Sequence, residues 1–280
     1  MVISAMLKQV RTAAGVARWV VAHPANRRRP QALPRAVIFQ VRGRLGRKTM
    51  VSLGGHSKMW AVLHHTASAK VAYASPPDWA EMQAWAKILG PGDLFVDVGA
   101  NAGSYSVWAS DLGAHVVAVE PGDEARQLLR ENITLNLEAD IDVVECALGS
   151  AQGFMTFTQG LDSTNHLLPR EVGGHRVEVT TLDEVLSGRH AAGVKIDVEG
   201  AERLVLEGAE TSMREGRIDV LQLEWNGMSR EVLGEDRQPV EQILRRHGYE
   251  LFRPDQEGTL HPVSSIAFGE DIFAVRSDKG

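Results

Sequence analysis

Residues 94–106 read Leu-Phe-Val-Asp-Val-Gly-Ala-Asn-Ala-Gly-Ser-Tyr-Ser, an apolar run carrying one acid, a turn with two glycines, then the start of an apolar-periodic stretch. That order dictates a strand, a tight turn and a helix, because glycine lets the backbone bend sharply and lets a ligand come close to it. The alternation returns downstream. Residues 114–121 are a second apolar run ending in an acid, residues 124–137 have helical spacing, and residues 141–149 form a third run. A chain that repeats strand and helix in this way builds a doubly wound, mostly parallel sheet.

At 280 residues the chain can bury the core of one large α/β domain with an appended segment. Apolar residues make up 44% and charged residues 24%, which places it among globular rather than disordered proteins. Its one cysteine, Cys146, has no partner for an internal disulfide, and no Cys/His cluster has zinc-ligand spacing; a reducing, cytoplasmic setting is expected. The net charge of −6 conceals a split. Residues 1–77 hold 13 Lys and Arg and no acid, leaving 17 basic against 36 acidic residues in 78–280. The break at Asp78 divides a basic N-terminal extension, residues 1–77, from the sheet-forming domain, residues 78–280.

Within the extension, Ile3, Met6, Leu7, Val10, Ala14, Ala17 and Val21 recur at three- and four-residue steps. The spacing predicts an amphipathic helix with Lys8, Arg11 and Arg18 around its other sides. His23-Pro24 ends it, and Arg27-Arg28-Arg29-Pro30 reads as an exposed connector. Residues 36–75 read as short strands separated by turns, from Val37-Ile38-Phe39 and from Met50-Val51-Ser52-Leu53 before Gly54-Gly55. Two readings of the first helix stay open: packing on its own domain or a homodimer partner, or resting peripherally on an anionic membrane, where each basic residue adds about 1 kcal/mol. No apolar run approaches the roughly 20 residues of a bilayer span, and no secretory signal is recognisable. No nucleic-acid motif accompanies the basic charge, so nucleic acid is not an expected partner. His56, His64 and His65 read as surface or packing residues, with a part in covering the site as the alternative.

Glycine spacing in the turn separates two cofactor classes. A dinucleotide fingerprint runs G-x-G-x-x-G, with a pyrophosphate against the helix N-terminus. From Gly99 this chain runs G-x-N-x-G, so Gly103 arrives one position early, and Asp97 stands two residues before Gly99. A carboxylate there repels a pyrophosphate but suits the amino group and sulfonium of S-adenosylmethionine. Asp97, Gly99, Asn101 and Gly103 are therefore assigned to that donor. About 20 residues on, Glu120 ends the second strand, where a carboxylate can accept from both hydroxyls of a ribose. The backbone of Cys146 and Ala147 falls where adenine is expected.

Taken together, these blocks resemble the FkbM-type methyltransferases. Asp97-Val98-Gly99-Ala100-Asn101-Ala102-Gly103, Val119-Glu120-Pro121, Ala147-Leu148-Gly149, Thr181-Leu182-Asp183-Glu184 and Lys195-Ile196-Asp197-Val198-Glu199-Gly200-Ala201-Glu202 follow in family order, from residue 93 to residue 224. The resemblance implies a Rossmann-like class I methyltransferase fold, a seven-stranded, mostly parallel sheet with an antiparallel last strand. It also implies O-methylation of a hydroxyl on a sugar, glycan, glycolipid or polyketide-type natural product. Gly122-Asp123 departs from the polar residue and second proline frequent in the family after Pro121. Residues 1–77 fall outside the resemblance.

Later elements agree with that plan. Residues 194–198 and 218–225 read as strands four and five, 201–209 and 240–247 as helices, and 248–252 and 272–275 as the last strands, the final one antiparallel beside the sixth. Ligands bind such sheets outside the carboxyl ends of the strands, and Asp97, Glu120, Asp197 and Glu224 all fall at or near those ends. Methyl transfer to a hydroxyl needs alignment and removal of a proton. Asp197 is the first candidate base and Glu199 the second, with Lys195 on the same strand face able to hold Asp197 ionised. Alternatively Asp197 fixes the cofactor or caps a helix, while Glu199 and Glu202 favour a helix N-terminus. Asp197, Glu224 and Asn226 offer oxygen ligands for Mg2+. His166, in a polar loop after residues 154–157, is a third candidate base. Two other classes stay open: a non-catalytic module that keeps the donor pocket, and an NAD-dependent oxidoreductase, disfavoured by the glycine spacing and by Asp97.

Overall fold

The computed structural model describes residues 13–27, 29–157, 167–168, 175–263 and 271–277. The extension supplies helices α1 (Ala13–Ala22) and α2 (Ala32–Arg44), a hairpin of β1 (Thr49–Gly54) and β2 (Ser57–Ala61), and helix α3 (Thr66–Tyr73). Helix α4 (Trp79–Ile88) leads into β3 (Leu94–Val98), α5 (Ser104–Asp111), β4 (His115–Val119), α6 (Asp123–Thr134) and β5 (Ile141–Val144). A side sheet follows, formed by β6 (Ala147–Leu148), β7 (Gly153–Phe157), β8 (Leu167–Leu168) and β9 (His175–Thr180). Next come α7 (Leu182–Leu186), β10 (Ala191–Ile196), α8 (Glu202–Glu207), α9 (Glu210–Arg214) and β11 (Ile218–Leu223). The last described elements are α10 (Met228–Val232), α11 (Gln238–Arg246), β12 (Tyr249–Pro254), β13 (Leu260–Pro262) and β14 (Ile272–Arg276).

Among the described residues the main sheet has eight strands, in the order β13-β12-β14-β11-β10-β3-β4-β5. Strands β5, β4, β3, β10 and β11 run parallel, and β14 lies antiparallel between β11 and β12. This is the class I methyltransferase sheet that the resemblance implies. The eighth strand is the short β13, paired with β12.

Alternation along each strand splits the core into two layers. Val96, Val98, Val117, Val119, Val194, Ile196, Leu221 and Leu223 face the layer that contains Leu182, Leu206 and Leu244. Phe95, Val116, Val220 and Phe273 face the other, with Met82 and Trp85 of α4 and Trp108 of α5. Phe39, Val51, Leu53 and Met59 of the extension belong to this second layer. Burying a side chain of that size contributes roughly 1.5–3 kcal/mol, so the extension helps hold one face of the sheet. Polar contacts fix its position as well. Asn132 on α6 accepts from Trp60 N and donates to Ala102 O, both at 2.8 Å, tying the hairpin to the glycine turn.

Three expectations for the extension change. Thr66–Tyr73, inside the span read as short strands, is the helix α3, with Ser68, Ala69, Val71 and Ala72 buried. Val37-Ile38-Phe39, a strand by its β-branched pair, lies inside α2, where Ala32, Ala36 and Phe39 recur at helical spacing and are buried. Tertiary packing overrides local preference there. Among the described side chains of α1 Val20 is buried, with Val16 and Trp19 beside it, whereas Val21 of the expected apolar face is 60% exposed. The earlier part of that helix, with Ile3, Met6, Leu7, Lys8, Val10 and Arg11, lies outside the described residues. His65 caps α3 by accepting from Ser68 N at 3.4 Å. No helix of the described residues is long and apolar enough to cross a membrane.

Candidate functional site

The turn after β3 is fastened to the end of β4. Gly99 N and Ala100 N both donate to Val119 O at 3.0 Å, and Asn101 N donates to Glu120 Oε2 at 2.8 Å. Glu120 Oε1 accepts from Gly122 N at 2.7 Å. Burial pushes this carboxyl up to about 7, against the pull of those two N–H groups. Each oxygen keeps a second acceptor site, which is what two ribose hydroxyls require. Gly99 has φ +78°, and a Cβ on it would sit 1.9 Å from the Asp197 carbonyl oxygen. Only glycine lets the turn cross the end of β10 so closely. At Gly103 the constraint is different, since a Cβ would meet Leu129 Cδ1 of α6 at 2.4 Å. Asn101 holds φ 52° while its Oδ1 accepts from Ala102 N at 2.8 Å. Cys146 is buried in the bend before β6 and Ala147, its thiol pushed up to about 11 by burial and so unreactive.

A polar row crosses the sheet beneath this turn. Asp97, Lys195 and Gln222 are register partners on β3, β10 and β11. Ser106 Oγ donates to Asp97 Oδ2 at 2.6 Å, while Oδ1 has no hydrogen-bond partner among the described residues and lies 3.9 Å from Lys195 Nζ. Burial pushes the Asp97 carboxyl up despite that lysine. Lys195 Nζ donates to Asp197 Oδ2 at 2.9 Å. Gln222 accepts from Trp85 Nε1 and donates to Tyr105 OH at 3.2 Å and to Asp271 Oδ2 at 2.8 Å. Asp271 stands just before β14, and burial followed by the charge of Asp197 pushes it up to about 7.

The strand ends line up at the rim. Asp197 N donates to Val98 O at 3.0 Å, and Glu224 N donates to Ile196 O at 3.1 Å. Oxygens of Asp197, Glu199 and Glu224 lie within 4.8 Å of one another. Glu199 has φ 50°, a left-handed conformation that costs a non-glycine residue roughly 1–3 kcal/mol. Protonation splits across the three. Burial opposes ionisation of Asp197, but Lys195 and Lys70 outweigh it and hold the carboxyl below its ordinary value. Burial, then Asp197 and Glu202, push Glu199 up to about 8. Burial and the same neighbours push Glu224 well above the usual range, and its Oε2 has no hydrogen-bond partner among the described residues. Lys70 on α3 answers the cluster: burial lowers it, but Asp78, Asp197, Asp271 and Glu224 together raise it. The extension therefore contributes a cation to the rim.

The structure thus brings Asp197 and Glu224 together with Glu199 as the third carboxylate. Asn226 stands beside the cluster: its Oδ1 accepts from Met228 N at 2.8 Å and its side chain also hydrogen-bonds the Glu199 carboxyl. Arg237 donates to Asn226 O at 3.2 Å and forms a fully buried ion pair with Glu202, which in turn accepts from Gly200 N at 2.9 Å. His166 lies outside the described residues. Lys70, Gln222, Arg237 and Asp271 are the members of the site that the sequence reading did not identify. Chemically the rim suits a positively charged ligand. Asp97 Oδ1 and Glu224 Oε2 are buried acceptors without donors among the described residues, and the glycines let the turn press its backbone against the end of β10 and against Leu129. The three clustered carboxylates are also hard oxygen ligands of the kind a divalent cation takes.

The model of the Methyltransferase FkbM domain matches residues 97–251, more than half of the chain. No curated protein matches. Similar solved structures include precorrin-6y C5,15-methyltransferase from Geobacter metallireducens GS-15, at 14% identity over 69% of this chain and 86% of that one, with a TM-score of 0.41. Magnesium protoporphyrin IX methyltransferase from Synechocystis PCC 6803, with bound SAM, is 15% identical over 75% of this chain and 83% of that one, with a TM-score of 0.42. A 16S rRNA N2 G1207 methyltransferase from T. thermophilus, in complex with AdoMet and guanosine, is 13% identical over 82% of this chain and 50% of that one, with a TM-score of 0.46. The matched span opens on Asp97 and takes in the glycine turn, Glu120 and the carboxylates of the rim; the chain belongs to the FkbM methyltransferase domain family.

Proposed function

We propose that this methyltransferase acts on oxygen, methylating a hydroxyl of a sugar, glycan, glycolipid or polyketide-type natural product. S-adenosylmethionine is its cofactor. One observation carries the oxygen acceptor: three carboxylates at the strand ends, two of them with raised pKa values, within 4.8 Å of one another. An alcohol keeps its proton near neutral pH and becomes a good nucleophile only beside a positioned base.

When bound, the donor supplies a methyl group on a positively charged sulfur. The glycine turn and Glu120 hold its nucleoside end, and the acidic rim favours its charge. Glu199, at about 8, is matched to take the acceptor's proton near neutral pH. Asp197, kept ionised by Lys195, is the weaker base and the better orienting group. Were Mg2+ bound, Asp197, Glu199 and Glu224 would hold it, and polarisation of the acceptor oxygen by the metal would replace Glu199 as the free base.

Purified protein given S-adenosylmethionine and a panel of glycans, glycolipids and polyketide alcohols tests this reading. A methyl ether should form, and Glu199→Gln should lower kcat by about 10²–10⁴-fold with donor affinity kept. Loss of activity on chelation, restored by Mg2+, would add the metal. Methylation of amine acceptors alone, with every alcohol untouched, would contradict the oxygen assignment.

A further inference from the structure

Helix α2 is apolar on both sides. Ala32, Ala36 and Phe39 face inward and are buried, and Gly43 lies against Leu63. Leu33, Val37, Val41 and Leu45 follow at four-residue steps on the opposite side, with Ile38 next to them. At 3.6 residues per turn these five share one arc, and that arc is turned away from the core. Val37 is 62% exposed, Ile38 54%, Val41 52% and Leu45 67%. A surface helix ordinarily carries charge there. Scattered exposed apolar residues need no explanation, but a contiguous row marks a contact surface.

Charge identifies the partner. Arg42 and Arg44 lie in the last turn of α2 and Arg47 follows, all three exposed, whereas Lys48 beyond them is ion-paired with Glu131 of α6. Residues 1–77 contain no acid to offset them, whereas the rest of the chain is strongly acidic. A second copy meeting this surface face to face would set like charges against each other. An anionic lipid surface would satisfy both features, taking the apolar arc into the headgroup boundary and pairing the basic residues with phosphates. We infer that α2 docks this protein peripherally on anionic membrane. The acidic domain, repelled by the same surface, would be held away from it, so the molecule would bind in one orientation. Nothing in this inference depends on which acceptor is methylated.

Cosedimentation of the full chain with phosphatidylcholine vesicles, with and without about a third phosphatidylglycerol, tests it. Binding is expected to the anionic vesicles only, and to weaken at high salt. Replacing Val37 and Val41 together, as Val37→Asp and Val41→Asp, should reduce binding at least about tenfold. Both side chains are mostly exposed, so S-adenosylmethionine affinity should stay unchanged and report an intact fold. No pelleting with anionic vesicles, or pelleting that survives both substitutions, overturns the proposal. A dimer that these substitutions convert to monomer, in protein that ignores vesicles, would overturn it in favour of a second copy.

Discussion

Glu120, Asp271 and Glu199 each carry a carboxyl pushed up to about 7, about 7 and about 8, with burial the largest cause in all three. Folded protein therefore holds protons that the unfolded chain has released. The stability this lends is complete below about pH 4 and is lost as pH climbs through those raised values. Thermal unfolding without ligand should show Tm falling between about pH 5 and about pH 8. A cationic donor favours the ionised forms, so its uptake should release protons and tighten over the same range. Calorimetry in two buffers of different ionisation enthalpy measures this directly; identical heats would contradict it. Asp97, Glu120, Asp197 and Glu224 were legible as acids at the ends of apolar runs. Asp271 was not, because it precedes an antiparallel strand, and the beginning of β14 lies where its parallel neighbours end. Lys70 was hidden differently: a lysine in an alanine-rich helix looks solvated until tertiary packing sets it among acids.

At the scale of elements, the loops after β10 and β11 are tied by a buried ion pair, Glu202 with Arg237, which are 0% and 1% exposed. Arg237→Met should destabilise the protein by about 3–5 kcal/mol in urea unfolding, because it strands a buried carboxylate. Adding Glu202→Gln should recover much of that loss; an undiminished loss would mean that packing by Arg237, rather than charge, is responsible. The same scale gives Thr181-Leu182-Asp183-Glu184 a physical role. Thr181 Oγ1 accepts from Glu184 N at 3.2 Å, and Asp183 accepts from Thr211 N at 3.0 Å and Ser212 N at 2.8 Å. That block caps α7 and holds the start of α9, a helix start that the sequence reading did not draw from it, taking it only as part of the family resemblance. Strands β3, β4 and β11 were readable, since alternation and run length are local. Val37-Ile38-Phe39 was misread because its helical state is set by partners such as Tyr73, whose ring packs edge-on to Phe39 at 5.4 Å.

At the scale of the whole molecule, a basic extension and an acidic sheet domain share one hydrophobic layer, and the extension's α3 sets Lys70 against the acidic rim. The charge break at Asp78 therefore marks a change of surface while the core runs through it. Family membership rests on residues 97–251, and what the extension adds lies beyond the reach of that match. The whole functional reading depends on the turn and Glu120 holding a sulfonium nucleoside. Titration of S-adenosylmethionine into the purified protein, with NAD alongside, tests that most directly. Saturable one-to-one uptake is expected for the first ligand and none for the second. Glu120→Ala should abolish uptake and Glu120→Gln should weaken it, in protein that still unfolds cooperatively. No heat with S-adenosylmethionine, or uptake untouched by both substitutions, would contradict it.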